Sequence, residues 1–228
     1  MLAGNQRSGS HALALALERR GAVAVPTEPR FATCFARHLA LAGNLAELAN
    51  RRRLLRCIFA FLWLWERRNR SRAQLLDTIP HSLLGLADQA EEIALQCESY
   101  GEIVNALHQR FAHRHGARIS LDKVTFLHDE PILPLARHVP GLKVVHLVRD
   151  GRDVRLSWQR VWFGVRNHEE AALRWRRRVL GLRQLRECLP GHYLEVRYED
   201  FLARPDATCE RILAFRRTRR RKAQRRSG

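Results

Sequence analysis

Near the start of the chain, Gly4-Asn5-Gln6-Arg7-Ser8-Gly9-Ser10-His11 sets two glycines in the spacing G-x-x-x-x-G ahead of a stretch rich in Ala and Leu. A turn of this kind, entered from a strand and left into a helix, points backbone N–H groups inward at an anion. Its chemistry departs from that of a nucleotide hydrolase at two positions. Ser10 stands where the phosphate-binding lysine would be, and His11 where the hydroxyl ligand to Mg²⁺ would be. The cation inside the turn is Arg7, three residues before Ser10. One planar, fork-shaped cation without a metal-ligand hydroxyl suits a group less charged than a triphosphate, and a sulfuryl group is one.

Two later clusters carry polar groups at similar places. Lys143-Val144-Val145-His146-Leu147-Val148 is dense in β-branched residues and ends in Arg149, with Ser157 eight residues on. An arginine at a strand's end and a serine on the first turns of the next helix can meet one phosphate together. Val196-Arg197-Tyr198-Glu199-Asp200-Phe201, followed by Arg204-Pro205-Asp206, places an aromatic at the end of a late strand.

The elements that must position these groups follow from patterning and breakers. Met1 to Gly4 reads as a short strand and His11 to Arg20 as a helix stopped by Gly21. Ala22 to Val25 reads as a strand closed by Pro26 and Pro29. Residues 31–115 form a helical insertion, with breaks near Gly43-Asn44, Asn69 to Arg72 and Ile79 to Ser82. Short strands at Ile119 to Leu121 and Val124 to Leu127 precede a helical piece ending at Pro140-Gly141. The strand Leu142 to Val148 leads into a helix through Trp162, a helix from Glu169 to Cys188, a strand from Tyr193 to Tyr198 and a last helix from Asp206 to Phe215. Strands alternating with helices predict an α/β fold, a three-layer P-loop-like parallel sheet flanked by helices. Residues 1–215 are expected to form one domain, and residues 216–228 a disordered basic tail.

Composition narrows the classes further. Of 228 residues 46% are hydrophobic, which excludes a largely disordered chain. The net charge is +18, and eight of those charges fall in residues 216–228, leaving +10 for the body. A body that basic attracts anions. The tail and the cluster from Arg174 to Arg178 also suit nucleic acid or another anionic surface, without an aromatic ladder or recognition-helix signature. Cys34, Cys57, Cys97, Cys188 and Cys209 are scattered singly and read as small buried hydrophobes in a reducing compartment. With no basic segment leading into an apolar stretch at Met1 to Arg7, a cytoplasmic location is expected. The longest apolar run, Leu54 to Trp65, makes about 18 Å of helix, too short to span a bilayer. It reads as a buried helix, the alternative being an interfacial one with Phe59, Phe61, Trp63 and Trp65 at the lipid boundary.

Gln6-Arg7-Ser8-Gly9-Ser10 with its Leu-rich helix, Gly21 and Pro26-Thr27-Glu28 resembles the 5′-phosphosulfate loop of sulfotransferases that use 3′-phosphoadenosine 5′-phosphosulfate (PAPS), most of all bacterial members. Arg149 with Ser157 is similar to the pair with which that family holds the cofactor's 3′-phosphate, and the Tyr198 segment to its strand and turn near the adenine. The resemblance covers residues 1–215 in organisation, with residues 31–115 carrying none of it. It implies sulfuryl transfer from PAPS, without a metal, to a hydroxyl or amine of a small-molecule or carbohydrate acceptor, leaving 3′,5′-ADP. Arg7, Ser8, Gly9, Ser10 and His11 would then bind the sulfated end and stabilise the leaving oxygen. The acceptor's proton calls for a base, with Glu28 the first choice, His11 the second and His128 the third. Lys123, in Asp122-Lys123-Val124-Thr125, resembles a family lysine and reads equally as a solvated one. Competing readings are a truncated inactive relative, a P-loop kinase acting on a small molecule, and anionic-surface binding through the tail.

Overall fold

The computed structural model describes residues 1–26, 28–70, 82–125 and 132–217, without the side chains of 68–70 and 217. The chain runs β1 (Leu2–Gly4), α1 (Ser10–Glu18), β2 (Val23–Ala24), α2 (Phe31–Ala36), α3 (Leu48–Arg70), α4 (Ala90–Gln96), α5 (Tyr100–Arg114), β3 (Ile119–Ser120), β4 (Lys123–Val124), α6 (Ile132–His138), β5 (Val144–Val148), α7 (Gly151–Trp158), α8 (His168–Cys188), β6 (Tyr193–Arg197), α9 (Tyr198–Ala203) and α10 (Pro205–Arg217), with 3₁₀ turns at Leu39–Ala42 and Leu83–Gln89. A parallel four-stranded sheet has the order β4-β1-β5-β6, its register pairing Ala3 with Val124 and with His146.

Side chains alternate across a strand, and that alternation makes the layers. Leu2, Val145, Leu147 and Val196 face Leu13 and Leu17 of α1, Phe201 of α9 and Ile212 of α10. Ala3 and Val144 face the other way, onto Ile132 of α6 and Leu182 and Leu185 of α8. Each fully buried leucine contributes about 1.5–3 kcal/mol. The sheet is therefore covered by helices on both faces, as the alternating pattern predicted.

The described part of residues 31–115 is mainly helical and, with Ala24, Leu135 and Val139, builds a second core centred on Phe31, Leu55, Ile58, Ile93, Leu107 and Phe111. Tyr100 donates from its hydroxyl to Ala32 O at 2.8 Å, tying α5 to α2, and Ser99 with Glu102 forms a capping box at the start of α5. Arg51, buried in this core, donates to the carbonyls of Ala94, Leu45 and Ala46 at 2.6–2.7 Å. No helix among the described residues is long and apolar enough to cross a membrane.

Several expectations need correction. β2, two residues long and closed by Pro26, pairs with β3 in a separate two-stranded ribbon instead of joining the main sheet. Tyr198 opens α9, because the backbone turns helical immediately after Arg197. The helix after Arg149 stops at Trp158, four residues before Trp162. α10 begins at Pro205 and runs through Arg217, against the expected Asp206 to Phe215. Residues 218–228 and the disorder expected of them lie outside the described residues, as do His128 and the strand expected beyond Thr125. Cys57 and Cys188 are exposed, since each falls on an outward helix position, while Cys97 and Cys209 are buried as expected and Cys34 is half-buried. Arg178 is buried and the Arg174 guanidinium lies 5.7 Å above the Trp158 ring, so the cluster from Arg174 to Arg178 is not one continuous basic patch.

Candidate active site

β1 is three residues long and delivers the chain at once into the glycine loop. Gly4 lies flush on β5, where a Cβ would stand 2.6 Å from Leu147 O, so a larger residue there would push the loop off the sheet. The turn then closes on itself: the Ser8 N–H donates to Asn5 O at 3.2 Å, Arg7 takes a left-handed φ of 65°, and Gly9 caps α1 at φ 89°. A glycine cap brings no side-chain acceptor, and the first turn of α1 carries no acidic residue. The helix's positive end and its first N–H groups therefore face outward from the loop without internal compensation.

The loop is tied to β5 and α7 through Arg7. Its Nε donates to Ser157 Oγ at 2.9 Å, while its carbonyl accepts from an Arg149 guanidinium nitrogen at 3.2 Å. Arg149 also lies 4.8 Å above the Tyr198 ring and 3.5 Å from an Asp153 carboxylate oxygen. The Tyr198 ring stands on the loop, at van der Waals contact with the Cβ-less Gly9. Behind the site, Trp175 Nε1 donates to Arg149 O at 3.0 Å, and Glu199 accepts from the Asp150 N–H at 2.9 Å. Asp150 caps α7, and its hydrogen bonds from Arg152 bring its carboxyl down to about 2.

A second cluster lies beside the first. Glu28 sits 2.7 Å from Lys123 Nζ, the lysine being 5% exposed and the carboxylate 14%. Thr125 Oγ1 donates to the same carboxylate at 3.4 Å. Burial holds His11 below its usual range, the nearby Lys123 charge lowers it further, and Glu28 opposes both. Lys123 is thus no solvated residue; it is buried together with its neighbours Val124 and Thr125. Trp175 and Glu199 were not anticipated, because their roles depend on how α8 and α9 pack and no local spacing records that.

The structure brings Arg7, Arg149, Ser157, Tyr198 and Gly9 together, with Ser10 and His11 at the start of α1. Glu28 meets Lys123 and Thr125 rather than this group, and its electrostatic reach to His11 links the two clusters. Ser8 Oγ is buried, turned towards Gly4, with no hydrogen-bond partner among the described residues. No group of His, Cys, Asp and Glu that could hold a metal ion occurs among the described residues. Two arginines, the uncompensated start of α1 and a buried hydroxyl without a partner among the described residues thus lie together at the end of β1.

The sequence profile described as "Sulfotransferase family" matches residues 1–219. In fold the chain is similar to the sulfotransferase domain from the curacin biosynthetic pathway, at 17% identity and a TM-score of 0.55, covering 94% of this chain and 71% of that one. It is also similar to the sulfotransferase domain from the Synechococcus PCC 7002 olefin synthase, at 21% identity and a TM-score of 0.54, with the same coverage of 94% and 71%. No curated protein matches the sequence.

Proposed function

The chain belongs to the sulfotransferase family, and from that premise we propose that it moves a sulfuryl group from PAPS to a hydroxyl or amine of a small acceptor, leaving 3′,5′-ADP. The observation that carries this reading is the Arg7 bridge, in which one residue joins the glycine loop to Ser157 and to Arg149 at once. When bound, PAPS supplies a sulfuryl group on a phosphate leaving group. Everything else is the work of side chains and amides already in place.

Charge grows on the leaving oxygen as the sulfuryl group departs, and donors fixed there beforehand lower the barrier. Arg7 and the N–H groups of Gly9, Ser10 and His11 take that role. The Ser8 N–H is engaged by Asn5, so its buried hydroxyl is the part of Ser8 that serves. Arg149 and Ser157 hold the 3′-phosphate, with Arg7 retaining further N–H donors after bonding Ser157. Tyr198 offers its ring to the adenine. Glu28 accepts the proton of the acceptor, oriented by Lys123 and Thr125, and His11, kept neutral by burial, is the second proton acceptor.

Calorimetric titration with 3′,5′-ADP in the absence of metal tests the reading. Micromolar binding by the wild type, weakened at least about tenfold in Arg149→Ala, is expected. Equal binding by both proteins would refute the site, and Mg²⁺-dependent ATP hydrolysis would favour a kinase. In an acceptor screen with labelled PAPS, Arg7→Ala is expected to lower turnover by about 10²–10³.

A further inference from the structure

α3 turns two different faces to its surroundings. Leu55, Ile58 and Leu62 point into the core of the helical insertion. On the opposite face, at helical spacing, Arg53, Arg56, Ala60, Trp63, Leu64 and Arg67 point outward. Trp63 is 50% and Leu64 59% exposed, unlike Phe59 in the same run, which is buried. Arg53 donates to Ala42 O at 2.8 Å, and this sets the turn Leu39–Ala42 beside the outward face with Leu41 82% exposed. The Arg67 guanidinium lies 5.2 Å over the Trp63 ring. Glu66, the one acidic residue between 53 and 67, is turned aside to accept from Ser82.

We propose that this face docks the protein on an anionic lipid surface. Large apolar side chains in the middle, cations on either side along the helix and no carboxylate of α3 itself among these outward positions, the exposed Glu91 of α4 being paired with Arg52, are the makings of an interfacial helix. A tryptophan with a guanidinium over its ring belongs at the boundary between headgroups and acyl chains. Charge selects the partner. A second copy would set Arg53, Arg56 and Arg67 against the same cations in a chain of net charge +18, whereas an anionic leaflet attracts each of them. Nucleic acid would use the arginines, and could stack a base on Trp63, but would leave Leu41 and Leu64, 82% and 59% exposed, without a role. The inference is independent of sulfuryl transfer, since it uses none of the residues placed in the active site.

Co-sedimentation of the full chain with vesicles of phosphatidylglycerol and phosphatidylcholine in equal parts tests it. The wild type is expected to pellet with these vesicles and to stay in solution with phosphatidylcholine alone. The variant W63S/L64S, altered only at exposed positions, is expected to partition about tenfold less strongly at an unchanged melting temperature. R56E/R67E is expected to lose binding as well. Both variants keep residues 216–228, so binding through the basic tail would leave them equal to wild type and would overturn the proposal. So would a folded wild type that ignores anionic vesicles, or one that retains a single-stranded oligonucleotide and no vesicle.

Discussion

Replacing Gly9 by alanine probes the contact on which the site is assembled. At φ +89° an alanine costs about 1–2 kcal/mol through its own backbone. Its Cβ would also lie 2.0 Å from Cε2 and 2.3 Å from Cδ2 of Tyr198, closer than carbon atoms approach, so the ring must swing off the loop. That ring carries the Arg149 guanidinium at 4.8 Å, a contact of about 0.5–1 kcal/mol. It also packs on Phe201 at 6.1 Å between centroids, for about 0.5–1.5 kcal/mol. Gly9→Ala should therefore cost about 2–4 kcal/mol in wild type, but only the backbone share of about 1–2 kcal/mol when Tyr198 is already alanine. Equilibrium urea denaturation of wild type, both single variants and the double variant measures the difference. A coupling of about 1 kcal/mol or more is expected, and equal costs in the two backgrounds would show that Tyr198 does not stand on the loop. Binding of 3′,5′-ADP should follow the same order, weakest where the ring has been displaced.

Other perturbations address the remaining contacts. Ser157→Ala should weaken 3′,5′-ADP binding about tenfold in wild type and by less once Arg7 is alanine, because the two side chains act as one unit, as calorimetry on the four proteins would show. Lys123→Met strands the Glu28 carboxylate in a site where it is 14% exposed, and should lower stability by about 3–5 kcal/mol, with partial recovery on adding Glu28→Gln, read by thermal denaturation. Glu28→Gln alone should remove turnover and keep 3′,5′-ADP affinity. His146 is brought down to about 4, first by burial and then by Arg183, Arg178 and Arg186, against the pull of Glu195. The unfolded chain, with its histidine near 6.5, binds the proton first, so stability is full above pH 6.5 and falls as pH drops from 6.5 towards 4, by up to about 3 kcal/mol. Urea midpoints at pH 7.5 and 4.5 should diverge less in His146→Gln than in wild type, and equal divergence would refute the assignment.

The layers of the fold were legible because β5 is a near-continuous apolar run, as a parallel strand buried on both faces must be, and because strands alternate with helices that end at strong breakers. β2 was misplaced for want of length, since two residues and a proline hold no information about which strand they will join. In the site, Arg149, Ser157 and the glycine loop could be read from spacing because a strand's end and a helix's first turn have fixed geometry. Lys123 could not be placed with the same ease. It pairs with Glu28, a residue 95 positions away in a left-handed turn with φ 33°, and no local pattern encodes that meeting. The run Leu54 to Trp65 read as one buried helix, or as an interfacial one with all its aromatics outward; the structure divides them, with Phe59 buried beside Leu55, Ile58 and Leu62 and Trp63 on the side away from them.

The Arg7 bridge spans sequence separations of 150 residues to Ser157 and 142 to Arg149. A ribosome adding about 5–20 residues per second needs roughly 8–30 s to make that much chain. During this interval the glycine loop is already synthesised, while the residues that clamp it do not exist. The loop must wait with its strand unpaired by β5, and closure has to bear the entropy of joining distant segments. Closure of the glycine loop consequently waits until synthesis has passed residue 157, and a nascent chain arrested before residue 149 carries the loop without its latch.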